Sequence, residues 1–157
     1  MNVTHLIVDG YCLMHRDPAL RSHLTGDLML ARQHLVRKVA SCCDAWASQI
    51  TVVFDGQSAG SDPVLSQAGI EVVYSAGHET ADTVIERMTT ASGDPDGVLV
   101  ITSDRAEIDV VTGAGGHVMS CVEFLDRCEK ESRSRRPTPY RNGPRGGRAT
   151  LGDFFPE

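Results

Sequence analysis

The chain has 157 residues, 41% of them apolar, enough for one domain with a real core and a modest appendage. No apolar run approaches the ~20 residues of a membrane-spanning helix, and the N-terminus lacks the basic start and longer apolar centre of a signal peptide, so the expected location is cytoplasmic, away from any membrane. The net charge of −6 is uneven: residues 1–129 carry eight basic and eighteen acidic side chains, residues 130–157 seven basic and three acidic.

His5–Asp9 (HLIVD) is a short buried strand ending in an acid. The next element expected is a helix from about Asp27 to Ala47, because Leu28, Ala31, Leu35, Val39, Cys42 and Trp46 follow one another at spacings of three and four. Asp27 is placed to cap it. Ile50–Phe54 is a second buried strand, followed at once by Asp55-Gly56, and Gln57–Pro63 is polar and glycine-bearing, a loop. Ile70–Tyr74 is a third strand and Thr80 to about Ala91 a second helix, with Ala81, Val84, Ile85 and Met88 inward. Val98–Thr102 is a fourth strand, followed by Ser103-Asp104. A short helix over Ala106–Thr112, a small strand over His117–Met119 and a closing helix from Val122 complete the body.

Strands alternating with helices predict a parallel sheet covered on both faces. Residues 1–130 form the domain. Residues 131–157, rich in arginine, proline and glycine, have little to bury and are expected to form a flexible basic arm. The five cysteines contain no C-x-x-C pair and are expected to be reduced core thiols.

Asp9, Asp55 and Asp104 each directly follow or end an apolar strand. In a parallel sheet those ends share one edge, outside which α/β proteins bind ligands. Asp82, near the start of the second helix, should flank the same edge. Four converging carboxylates repel one another, which a hard divalent cation such as Mg2+ or Mn2+ would relieve, as would simple exposure to water. The G-x-G-x-x-G turn and the Walker A lysine are both missing. Ser103 has no G-x-S-x-G around it and is expected to cap a helix or bond within the pocket.

The segments together resemble one family. LIVDGYCLMH (6–15) is similar to the opening of the YacP-like NYN nucleases, relatives of the PIN-domain ribonucleases. VVFDG (52–56), VVYSAGHETADTVIERM (72–88) and VITSDRAE (100–107) resemble their later blocks in the family's order. The resemblance implies a PIN-like three-layer α/β fold, with a central parallel sheet of about five strands flanked by helices. It implies a metal-dependent endoribonuclease cutting RNA to 5′-phosphate and 3′-hydroxyl ends; some members of the family act on messenger RNA at the ribosome. Carried over by position, the family's acids fall on Asp9, Asp55, Asp82 and Asp104, with Asp9, Asp82 and Asp104 expected to hold the cation. Its arginine falls on Arg105, a candidate phosphate contact beside Cys12 and Ser103.

One position departs. The family usually has Asn where this chain has Cys12, and a thiol is a poor ligand for Mg2+. The alternative to a nuclease is therefore an RNA- or ribosome-binding module that has lost turnover. In either case the acidic body would repel RNA, and the arm, with Arg133, Arg135, Arg136, Arg141, Arg145 and Arg148, would supply attraction and Tyr140 a stacking face. Leu151, Phe154 and Phe155 resemble an L-x-x-F-F clamp-docking peptide without its leading Gln; the alternative is that they pack back on the body.

Overall fold

The computed structural model describes residues 1–56, 60–67 and 69–137. Among these residues six strands form one sheet: β1 (His5–Asp9), β2 (Gln49–Phe54), β3 (Gly60–Ser61), β4 (Ile70–Tyr74), β5 (Val98–Ile101) and β6 (His117–Met119), in the order β3-β4-β2-β1-β5-β6. Five run parallel, and β3 is a two-residue antiparallel edge on β4. The sequence expectation of a loop over 57–63 missed this edge, because two residues, one of them Gly, carry no apolar alternation.

Among the described residues six α-helices cover the sheet: α1 (Gly10–Arg16), α2 (Pro18–Arg21), α3 (Leu28–Cys43), α4 (Ala81–Thr90), α5 (Arg105–Gly113) and α6 (Cys121–Arg135). The parallel strands are mostly apolar, yet their residues divide by alternation. Leu6, Val8, Ile50, Val52, Phe54, Leu99 and Ile101 join the core beneath α1, α2, α3 and α6. Ile7, Val53, Val98 and Val100 face Ala81, Val84 and Ile85 of α4 and Val111 of α5. This is the period-two arrangement of a sheet buried on both sides, a three-layer α/β fold.

Three boundaries differ from the sequence reading. The segment between β1 and α3 holds α1 and α2, which are too short to show a helical stripe. Helix α3 stops at Cys43, and Trp46 lies beyond it, its indole Nε1 donating to Glu131 Oε1 at 3.2 Å. Helix α6 continues to Arg135, five residues into the segment expected to be arm. The reason is local: Glu123–Arg127, Asp126–Lys130, Glu129–Arg133 and Glu131–Arg135 are four successive acid-before-base pairs at i,i+4, a spacing that supports an exposed helix. No helix among the described residues is long and apolar enough to cross a membrane.

Candidate metal centre

Strand β1 is central, and the chain adds β2 and β4 on one side before crossing to β5 and β6 on the other. The carboxyl ends of β1 and β5 therefore flank the topological switch point, where such sheets bind ligands. An open cleft of about 400 Å³ lies there, lined by Asp9, Tyr11, Cys12, Arg16, Asp55, Ala81, Asp82, Ser103 and Asp104.

Each expected aspartate reaches this edge, but they do different things. Asp9 is buried, and its Oδ1 caps α1 by accepting from Cys12 N at 3.2 Å. Asp55 Oδ1 accepts from Ala81 N at 2.6 Å and Ser75 Oγ at 3.4 Å, tying the start of α4 to the end of β2. Asp104 caps α5, its Oδ1 accepting from Glu107 N at 3.1 Å. Asp82, in the first turn of α4, is exposed to the cleft.

The carboxylates that converge are Asp9, Asp82 and Glu107, which offer oxygens all within 4.8 Å of one another. Glu107 thus stands where the sequence reading had Asp104. It was missed because it follows no strand. Its signal was the spacing to Val111, four residues on: both are the buried residues of α5, so an acid occupies the inward stripe of that helix. Tyr11 and Arg16 also line the cleft without having been singled out.

The electrostatics are those of crowded acids. Glu107 is 3% exposed, and burial, followed by the repulsion of Asp9, raises its pKa to about 10. Burial also raises Asp9, against lowering hydrogen bonds from Glu107 and Cys12 N. Thr102 Oγ1 donates to Glu107 Oε2 at 3.2 Å, while Glu107 Oε1 is buried and accepts no hydrogen bond from the described residues. A buried acid with one unsatisfied oxygen, gathered with two further acids, is a donor set suited to a hard divalent cation, so the residues fit Mg2+ or Mn2+.

Cys12 and Ser103 line the cleft. Ser103 bridges the cleft wall: its N–H donates to Cys12 Sγ at 3.2 Å and its Oγ accepts from Cys121 N, at the start of α6, at 3.1 Å. Arg105 opens α5 and is exposed. Arg135 lies elsewhere, at the end of α6, held by Glu131 at 3.4 Å, Asp44 at 3.7 Å and the Ser41 carbonyl. Arg136 lines the same α3–α6 groove as Arg135. Tyr140, Leu151, Phe154 and Phe155, with Arg141, Arg145 and Arg148, lie outside the described residues.

A parallel sheet of this order, layered with helices and gathering acids at its switch point, is a PIN-like, nuclease-type fold. More particularly, residues 6–145 match the family model of the YacP-like NYN domain, and the chain belongs to that family. It is 29% identical over 126 residues to the Bacillus subtilis (strain 168) protein YacP, covering 79% of this chain and 74% of that one. The crystal structure of Rae1 (YacP) from Bacillus subtilis superposes with a TM-score of 0.72 at 29% identity, over 85% of this chain and 77% of that chain. Its W164L mutant gives the same TM-score at 27% identity, over 84% and 79%.

Proposed function

We propose that this protein is a divalent-metal-dependent endoribonuclease, with Asp9, Asp82 and Glu107 holding Mg2+ or Mn2+. The observation that carries the reading is the convergence of those three carboxylates within 4.8 Å, one of them with a buried oxygen that accepts no hydrogen bond from the described residues. A divalent cation held there supplies positive charge against the scissile phosphate and a water of lowered pKa.

The protein's own groups would do the positioning. Asp9 is fixed by the α1 turn, and Asp104 fixes the α5 turn that presents Glu107. Asp55 anchors the α4 turn that carries Asp82. Arg16 and Arg105 would contact phosphates, with Cys12, Ser103 and Tyr11 against the nucleotide. The basic C-terminal segment, with Arg136 and Tyr140, would bring RNA to an acidic body, and a ribosome is the partner that the family likeness suggests.

Incubation of a structured RNA with the full chain and Mn2+ or Mg2+ tests this. Internal cleavage leaving 5′-phosphates is expected, abolished by EDTA. Asp9→Asn and Glu107→Gln should each lose on the order of a hundredfold or more, as when groups that meet transition-state charge are removed. Cleavage at wild-type rate by both variants would defeat the assignment.

One observation favours a second reading, RNA binding without turnover. The Cys12 sulfur is engaged by Ser103 N and lies beside Cys121, so it presents no oxygen to a hard cation. RNA binding retained by a wild type that does not cut, with cleavage restored in Cys12→Asn, would establish that reading.

A further inference from the structure

Two of the five thiols meet at the wall of the acidic cleft. Cys12, in the first turn of α1, is half-buried and lines the cleft, while Cys121, the first residue of α6, is fully buried behind it. Their sulfurs are 3.5 Å apart, although 109 positions separate them in sequence.

The pair is held from both sides by one residue. Ser103 donates its N–H to the Cys12 sulfur at 3.2 Å and accepts the Cys121 N–H on its hydroxyl at 3.1 Å. Thr102 Oγ1, at 3.9 Å from the Cys12 sulfur, adds little, because its single proton has a nearer acceptor in Glu107 Oε2 at 3.2 Å. Two sulfurs fixed at this separation need close by only about 1.5 Å to reach the ~2.05 Å of a disulfide. The half-buried member is the one that a reagent in the cleft meets first, and the enclosed member is positioned to resolve it.

We propose that Cys12 and Cys121 form a redox-active thiol pair, the site at which a hydroperoxide converts this protein to an intramolecular disulfide. The Cys12 sulfur attacks the peroxide, an S–O bond forming as the O–O bond breaks; the departing oxygen leaves as water after taking the Cys12 proton. The Cys121 sulfur then attacks Cys12. The S–S bond forms, the S–O bond breaks and a second water leaves with the Cys121 proton. Two thiols lose two electrons, and hydrogen peroxide takes them. A dithiol reductant reverses the bond by exchange. Neither a metal ion nor RNA takes part, so the inference is independent of the nuclease reading.

The test is a cysteine map of the full chain, reduced, treated with hydrogen peroxide, alkylated with N-ethylmaleimide and digested for mass spectrometry. The expected product is a Cys12–Cys121 linked peptide that dithiothreitol dissolves. Cys121→Ser should stop at a Cys12 sulfenic acid that dimedone traps, and Cys128→Ser should still link Cys12 to Cys121. Wild-type protein in which both thiols remain alkylatable, in which Cys12 passes to sulfinic acid unlinked, or in which Cys42 and Cys128 link instead would overturn the proposal. The wild-type map decides by itself if Cys121→Ser does not fold.

Discussion

Glu107 is an acid where the packing of α5 asks for a hydrophobic side chain. One of its oxygens accepts from Thr102, the other accepts from none of the described residues, and the group converges with Asp9 and Asp82. Such a group costs stability by itself and is tolerated where something else uses it. Glu107→Gln keeps the shape and removes the charge. The variant is expected to bind Mn2+ at least on the order of tenfold more weakly than wild type, read by titration calorimetry. Equal affinity would mean that the cation, if bound, sits elsewhere in the cleft. Asp55 serves differently. It is exposed and holds Ala81 N, so Asp55→Ala should cost about 1 kcal/mol, the usual loss when a helix-start acceptor is removed, measured as a shift in denaturant midpoint.

At the scale of elements, the glycine after the first aspartate has a steric reason. A Cβ at Gly10 would lie 2.3 Å from Phe54 Cε1 and 3.0 Å from the Val53 carbonyl. Phe54 is fully buried and packs against Tyr11 and Tyr74 with ring centroids at 5.5 and 5.9 Å, so it has nowhere to swing. Gly10→Ala is expected to destabilise by about 1–3 kcal/mol through overpacking, visible in chemical denaturation. It should also loosen the turn that holds Asp9. This contact explains what the sequence could and could not tell. The parallel strands other than the short β6 were legible because each is a mostly apolar run closed by an acid or a turn, and their order placed Asp9, Asp55 and Asp104 on one edge. α1 and α2 were not, since seven and four residues make too few turns for a stripe. Glu107 was not, because a carboxylate on an inward helical face is visible only once that face is known to be inward.

At the scale of the whole molecule, the gathered acids make stability depend on pH in an unusual sense. Burial and Asp9 raise Glu107 to about 10, so between the ordinary carboxylate range and that value the native state holds a proton that the unfolded chain has released. Stability then falls as pH rises through this window, and burial moves Asp9 in the same direction. Cysteines also titrate here: the contact with Cys121 lowers Cys12 to about 6 while raising Cys121, so the comparison has to cancel them. Wild type and Glu107→Gln share every cysteine. In EDTA the wild-type melting temperature should therefore decline more steeply from pH 6 to pH 9 than that of Glu107→Gln. A bound cation replaces the proton, so the rise in melting temperature given by Mn2+ should be larger at pH 9 than at pH 6 in wild type, and nearly absent in the variant. Parallel melting curves for the two proteins at every pH, with and without Mn2+, would show that Glu107 neither holds the proton nor helps to hold the ion.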